Sequence, residues 1–185
     1  MAEIDDAIDR ADQEHFTRQP PKTLKGRINF LVKQLKTTRA VAAELGISQR
    51  SVERYRTGER RHPPQAIADR IDAAVRRRWQ PQVRKRRRKQ AATTRGITVE
   101  TRARFGYTAP VGTTDDGRFR RLTVHLPPPY AQRLFDAREA GSGDRELRAI
   151  IAEGFKDVYF QDGGTRASGL SDVTLNDIDY LDLDY

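Results

Sequence analysis

The sequence predicts a mainly α-helical protein built from several small units. Apolar residues recur at helical spacing through most of residues 22–78, whereas Leu122 to Leu126 alternate with polar residues as a strand does. Hydrophobic residues make up 36% of the 185-residue chain and charged residues 33%. We therefore expect small cores rather than one large one.

Residues 1–78 are predicted to be mainly helical. Residues 1–21 are predicted to form an acidic helix that ends at Pro20-Pro21. Residues 22–78 are predicted to form a helical bundle, because apolar side chains recur there every three or four positions. The apolar positions that define these helices are Ile4, Ala7, Ile8, Ala11, Leu24, Ile28, Leu31, Leu35, Ile67, Ile71, Ala74 and Val75.

Residues 38–55 within this bundle resemble the helix-turn-helix family. Gly46 permits the positive φ of a tight turn, and Ser48 is a natural N-cap for the following helix. The side chains that two crossed helices would bury are Val41, Leu45, Ile47, Val52 and Tyr55. A plain helical hairpin with a solvated basic face is the alternative.

The resemblance implies that the second helix of this pair enters a DNA major groove. Arginine pairs well with a guanine edge and glutamine with an adenine edge. The predicted DNA-contacting residues are Ser48, Gln49, Arg50, Glu53 and Arg54, with Arg56, Arg60 and Arg61 near phosphates.

Residues 79–119 are predicted to form a basic linker followed by an exposed loop. Nine basic residues fall between Arg76 and Lys89, a density typical of a segment that contacts phosphates. The run also resembles a nuclear localisation signal, and a solvated linker is a further alternative. The predicted contacts here are Arg84, Lys85, Arg86, Arg87, Arg88 and Lys89.

Residues 120–162, a strand followed by two helices, resemble the ribbon-helix-helix family. A lone strand must pair, and in that family it pairs with the same strand of a second copy, which implies a homodimer. Arg121, Thr123 and His125 would then face DNA. Asp144 departs from the pattern, because it would repel a phosphate at the second helix start. A dimerisation domain without DNA contact, or a strand of an unrelated fold, is the alternative.

Charge is distributed unevenly along the chain, whose formal net charge is +9. Residues 1–14 and residues 171–185 each carry −5, which leaves +19 between them. A basic centre favours a nucleic-acid partner. Residues 163–185 are expected to be a mobile acidic tail that binds a basic partner or covers the chain's own basic run.

Several classes of protein are disfavoured by composition. The chain has no cysteine and three scattered histidines, so neither thiol catalysis nor a cysteine-ligated zinc site is expected. Without an apolar run of 18 residues no membrane span is expected, and the acidic N-terminus is unlike a secretory signal. A nuclease or recombinase is disfavoured because no catalytic cluster is evident.

The segment from Pro110 to Gly117 places two hydroxyls beside two carboxylates. Thr113 and Thr114 are followed by Asp115 and Asp116. A threonine hydroxyl is a weak nucleophile until a base or a metal activates it. An Asx-type turn without covalent chemistry is the alternative.

The whole arrangement is similar to the telomere terminal proteins of linear actinobacterial (streptomycete) chromosomes and plasmids. The resemblance spans the chain and includes the helix-turn-helix pattern, the basic run and the Gly-Thr-Thr-Asp-Asp segment. It implies a protein that caps 5′ DNA ends covalently and primes end patching, with Thr114, or alternatively Thr113, as the attachment residue and Asp115 and Asp116 nearby.

The same resemblance implies the partners and the setting. The chain would be no enzyme itself but would accept a deoxynucleotide from a DNA polymerase, which supplies the divalent metal, so no intrinsic cofactor is expected. Its other partners would be a telomere-associated protein and telomeric DNA, both duplex and 3′ overhang, in the bacterial cytoplasm. A dimeric repressor or partition protein without covalent linkage is the alternative function.

Overall fold

A computed structural model describes residues 3–108, 119–167 and 169–185. These residues are mainly α-helical, as the sequence predicts, and include one three-stranded antiparallel sheet. The helices are α1 (Glu3–Glu14), α2 (Leu24–Leu35), α3 (Thr38–Leu45), α4 (Gln49–Thr57), α5 (Gln65–Arg78), α6 (Pro81–Gln90), α7 (Pro128–Glu139) and α8 (Asp144–Gly154). The strands are β1 (Ile97–Thr108), β2 (Phe119–Leu126) and β3 (Asp172–Asp184).

The chain divides into two units. Residues 16–82 form the helical unit, and residues 1–15 together with 83–185 form the sheet unit. The helical unit contains α2 to α5, whose apolar faces share one core. The fully buried side chains of this core include Ile28, Leu31, Val41, Leu45, Val52, Ile71 and Val75.

The sheet unit is organised around β1, which lies between the other two strands. Val99 of β1 is paired with Val124 of β2 on one side and with Leu183 of β3 on the other. Gly154 lets α8 approach the sheet closely, because a Cβ there would lie 2.7 Å from a methyl carbon of Leu126. The core between helices and sheet includes Ile4, Ile8, Phe105, Leu126, Leu134, Leu147, Ile151 and Phe155.

Residues 79–108 do not form the basic linker that the sequence predicts, and the predicted loop beyond them lies outside the described residues. Residues 79–108 contain α6, a π-helical turn at Ala91–Arg95 and the central strand β1. The alternation of β1 was present in the sequence, since Val99, Thr101, Ala103 and Phe105 are all buried and polar residues separate them. Its threonines and arginines masked that period.

The strand at residues 120–126 does not need a second copy to pair, and pairing of its other edge with a second copy stays a prediction. β2 pairs with β1 of its own chain over eight residue pairs, from Leu126 opposite Ile97 to Phe119 opposite Arg104. The sequence argument was correct that a lone strand must pair. β1 was not predicted as a partner strand because its residues had been interpreted as a loop.

The acidic ends are structural parts of the sheet unit rather than free tails. α1 packs on β3 and on α8, and β3 completes the sheet. Leu181, Leu183 and Tyr185 are buried although aspartates separate them. The prediction of a mobile acidic tail is therefore wrong, because alternate residues of this segment are apolar and fill the core.

Candidate nucleic-acid interface

Helices α3 and α4 are joined by a tight turn with defined caps. Gly46 adopts a left-handed conformation (φ 62°, ψ 39°) and ends α3. The Ile47 N–H donates to the Ala42 carbonyl at 3.0 Å, and the Ser48 side chain accepts a hydrogen bond from the Ser51 N–H at 3.2 Å. Both turn residues singled out from the sequence adopt the conformations predicted for them.

One face of α4 is buried and the other is exposed. Val52 and Tyr55 lie in the core, whereas Gln49, Arg50, Glu53 and Arg54 are exposed. This separation follows from the helical spacing of the two apolar residues. The four exposed side chains are those predicted to reach base edges.

The exposed residues of α4 differ in how far they are already engaged. The Gln49 amide donates to Thr38 and to Glu53, at 3.0 Å each, and the Arg54 guanidinium pairs with Glu59 at 2.7 Å. Arg50 makes no hydrogen bond or ion pair within the part of the chain that the structure describes. Arg50 can therefore bind a partner without breaking an existing contact.

Further basic side chains lie beside α4. Arg56 donates to Asn29 at 3.3 Å, and the Arg60 guanidinium lies 5.7 Å from the centre of the Tyr55 ring. Arg60 and Arg61 line a groove of about 360 Å³ together with Lys25 at the start of α2. These exposed cations suit phosphate contacts, which position a protein on DNA without reading its sequence.

The helical unit carries a surplus of positive charge. It holds 16 Lys and Arg against five Asp and Glu, a formal net charge of +11. Glu44 is engaged by Arg78 and Arg77 at 3.1 and 2.8 Å, and the hydrogen bond from Arg78 contributes most to holding the pKa of Glu44 below its usual value. Such pairs use few of the cations, so most remain available to a polyanion.

The basic run has a different structure from the predicted linker, because it forms α6 and places two of its arginines inward. Asp12 of α1 is 1% exposed and accepts hydrogen bonds from Arg88 at 2.5 Å and from the Tyr185 hydroxyl at 2.7 Å, with Arg84 at 4.0 Å. Burial and the Asp12 carboxylate raise the pKa of the Tyr185 hydroxyl.

Arg84 and Arg88 are therefore engaged within the sheet unit, which disfavours them as DNA contacts. They lie one helical turn apart on the face of α6 that packs toward α1. Lys85, Arg86 and Lys89 are exposed and Arg87 is half-buried, so these four stay candidate phosphate contacts. No local pattern shows that Asp12, more than 70 positions away, neutralises part of the run.

The outer face of the sheet carries the three strand residues predicted to face DNA. Arg121, Thr123 and His125 are all exposed, as the alternation predicts. Arg121 is paired with Glu100 at 2.6 Å, and His125 Nδ1 lies 3.1 Å from the Thr98 hydroxyl. The face also includes aspartates of β3, so its charge is mixed rather than basic.

A cluster of arginines and aromatic rings occupies the end of the sheet where β1 finishes and β2 begins. Phe119 is 45% exposed, and the guanidinium carbons of Arg102 and Arg104 lie 5.5 and 5.2 Å from its ring centre. Arg120 lies 5.8 Å from the ring centre of Tyr107. This cluster was not predicted from the sequence, although its residues lie in two short stretches, 102–107 and 119–120.

The candidate attachment residues Thr113 and Thr114, with Asp115 and Asp116, lie outside the described residues. Their segment connects β1 to β2 in the sequence. Within the described ranges no group of three His, Asp or Glu side chains is placed to hold a metal ion. No helix in these ranges is long and apolar enough to cross a membrane.

Comparison with known proteins adds no relative: no family model matches the chain, and neither the curated proteins nor the solved structures contain a significant match. The function is therefore inferred from the geometry and charge of the chain itself and from the resemblance described above.

Proposed function

We propose that the protein binds DNA through α3 and α4, which act as a helix-turn-helix with α4 in the major groove. The observation that carries this proposal is the exposed face of α4, where Arg50 lacks a partner among the described residues, within a unit of formal net charge +11. The left-handed Gly46 and the Ser48 cap support it, because they hold the two helices at a turn typical of this class.

Within this interface the residues have different roles. Arg50 is the base-reading residue, since a free guanidinium can donate two hydrogen bonds to guanine. The Gln49 amide, held by Thr38 and Glu53, contacts bases from a fixed orientation. Arg60 and Arg61 bind phosphates and set the position of α4 on the duplex.

The DNA-binding proposal is tested with duplexes selected by the full-length protein from a random pool. Arg50→Ala should weaken binding to the selected duplex about tenfold or more, since a bidentate arginine contact is worth about 1–3 kcal/mol. Arg133→Ala is the matched control, because Arg133 is an exposed arginine of the sheet unit paired with Glu153. Equal affinity of the Arg50→Ala variant and the wild type would contradict the proposal.

The particular DNA-binding role that we propose is that of a telomere terminal protein and protein primer. The resemblance carries this step, and the arginine–aromatic cluster at the ends of β1 and β2 supports it. Exposed aromatic rings with neighbouring guanidinium groups are typical of surfaces that bind single-stranded nucleic acid. Arg102 and Arg104 also pair with Asp179 and Asp177, at 2.6 and 3.4 Å, and a nucleic acid would compete with these exposed pairs. Here Phe119, Arg102 and Arg104 flank the segment that contains Thr114.

The proposed reaction is a nucleotidyl transfer catalysed by the partner polymerase. The Thr114 hydroxyl oxygen attacks the α-phosphorus of a deoxynucleoside triphosphate, a phosphoester bond forms and pyrophosphate leaves. The hydroxyl proton passes to a base or to water, and the polymerase's divalent metal stabilises the developing charge. The chain itself supplies the acceptor and holds the DNA end.

Labelling tests this role separately from DNA binding. With a cell extract as the source of polymerase and a radiolabelled deoxynucleotide, the wild type should become labelled, Thr113→Ala should retain the label and Thr114→Ala should lose it. Label on Thr114→Ala but not on Thr113→Ala would move the attachment to Thr113. A protein that binds duplex tightly but is never labelled would favour a repressor or partition protein.

A further inference from the structure

A groove of about 520 Å³ runs between α8 and the first half of β3. Five consecutive residues of the strand line it, from Asp172 to Asn176, so the backbone edge of β3 forms one wall. Ala149 and Ala152 of α8 line the opposite side, and Val173 and Leu175 are buried beside it. The groove is thus bounded by a strand edge and has a mixed lining, in which the Arg148–Asp144 ion pair lies beside the apolar side chains.

The two halves of this strand edge are covered differently. Near the C-terminal end, the Leu181 carbonyl accepts a hydrogen bond from Arg10 of α1 at 2.6 Å. Along Asp172 to Asn176 no further strand is paired in the described part of the chain, since the sheet order is β2-β1-β3. The Val173 N–H donates to the neighbouring Asp172 carboxylate at 2.9 Å, a local contact that a paired strand can replace. A strand edge without a neighbouring strand is a template for another strand.

We propose that this edge binds the same edge of a second copy of the chain, which makes a two-fold symmetric dimer with a continuous six-stranded sheet. The segment Asp172-Val-Thr-Leu-Asn176 is complementary to itself when paired antiparallel about Thr174. Val173 then lies opposite Leu175 of the second copy, Asp172 opposite its Asn176 and Thr174 opposite its Thr174. No like charges face each other, and apolar and Thr–Thr pairs are favourable across strands.

Charge at the groove also favours a second copy. Arg145 at the rim is exposed and makes no ion pair or hydrogen bond within the described residues, so it is available to the Asp172 carboxylate of the second copy. β3 contains five Asp and no basic residue, and the sheet unit has a formal net charge of −2. The groove itself is lined by two Asp and two Arg, so it has no surplus of positive charge that would attract a nucleic acid.

The absence of cysteine from the sequence permits a direct test of the register. In the full-length protein, Thr174→Cys should form a disulfide-linked dimer under mild oxidation, because the pairing brings the two copies of this position together. Thr123→Cys, on the outer face of the other edge strand, is the matched control and should stay unlinked. Linking through Thr123→Cys but not Thr174→Cys would overturn the proposal and place the dimer at β2.

A second variant tests the groove without altering the strand. Ala149 is exposed in the described chain, so Ala149→Glu should fold normally and place a charge where the second copy docks. Sedimentation equilibrium should show that the wild type forms a dimer. The Ala149→Glu substitution, in an otherwise unchanged protein, should raise the dissociation constant of that dimer about tenfold or more. Ala66→Glu on α5 is the control for an exposed helical alanine. A wild type that stays monomeric at every concentration, or a dimer insensitive to Ala149→Glu, would contradict the proposal.

Discussion

The helical unit and the sheet unit contain similar numbers of basic residues but use them in opposite ways. The helical unit holds 16 Lys and Arg and only five acidic residues, whereas the sheet unit holds 19 Lys and Arg and 21 acidic residues. In the sheet unit the arginines bind the acidic ends of the chain, as Arg88 binds Asp12 and Arg102 binds Asp179. In the helical unit most cations have no acidic neighbour to bind.

This difference shows that the density of bases along a sequence does not locate a polyanion site. The most basic run lies in α6, yet the fold brings α1 against it and buries two of its arginines. Local positive charge is a property of the folded surface, to which residues distant in sequence contribute. The surplus of the whole chain therefore belongs to the helical unit.

The largest expected effect concerns the buried pair of the sheet unit. Arg88→Ala leaves the Asp12 carboxylate buried with a weaker partner, which should lower the free energy of unfolding of this unit by about 3 kcal/mol. Urea unfolding followed by amide hydrogen exchange of β1 to β3 measures the loss. Arg86→Ala, an exposed neighbour on the same helix, should change it by less than about 0.5 kcal/mol.

The same experiment tests whether the two units unfold independently. The single tryptophan, Trp79, lies in the helical unit, where its ring contacts Phe30 at a centroid distance of 5.0 Å. If the units are stabilised independently, Arg88→Ala should leave the unfolding midpoint of Trp79 fluorescence unchanged. A matching shift of both signals would show one cooperative unit.

A smaller effect is expected at the turn of the helical unit. Gly46→Ala forces a side chain into a left-handed conformation, which should lower the free energy of unfolding of this unit by about 1 kcal/mol. The new Cβ would lie 2.9 Å from the Arg70 guanidinium, a flexible group that can shift. Trp79 fluorescence in urea measures the change, and Arg50→Ala should leave that midpoint where it is.

The smallest effect is a pH dependence of the sheet unit. Because the pKa of the Tyr185 hydroxyl is raised in the folded state, ionisation is easier in the unfolded chain. The stabilisation from this group is complete below about pH 10, the ordinary tyrosine value, and decreases as the pH rises above it. The difference in free energy of unfolding between the wild type and Tyr185→Phe should therefore become smaller between about pH 10 and 11. A difference that stays constant over this range would show that ionisation of Tyr185 does not contribute to the pH dependence of stability.

Local signals were sufficient for the helices but not for the sheet. Gly46, Ser48 and the apolar stripe of α4 define their element within a few residues, so periodicity and capping could predict it. β1 was not predicted because Thr98, Arg102 and Arg104 obscure the alternation of its apolar residues. β3 was not predicted because its aspartates were interpreted as part of an acidic tail.

The candidate site could likewise be predicted from the sequence only where local spacing determines it. The exposed side chains of α4 follow from its helical period, whereas the burial of Arg84 and Arg88 depends on Asp12, which only the tertiary fold brings near. The cluster around Phe119 likewise requires two strands to meet at one end. Long-range pairing is not encoded in any single window of sequence.

The most direct test of the account compares two double charge reversals in the full-length protein on one selected duplex. Arg60→Glu with Arg61→Glu changes the helical unit, and Lys85→Glu with Arg86→Glu makes the same change of charge on the exposed face of α6. We predict that the first pair weakens binding about 100-fold or more at low salt and lowers the salt dependence, whereas the second, at candidate phosphate contacts outside the helical unit, weakens binding by about tenfold or less. A larger loss for the α6 pair would contradict the claim that the helical unit holds the DNA.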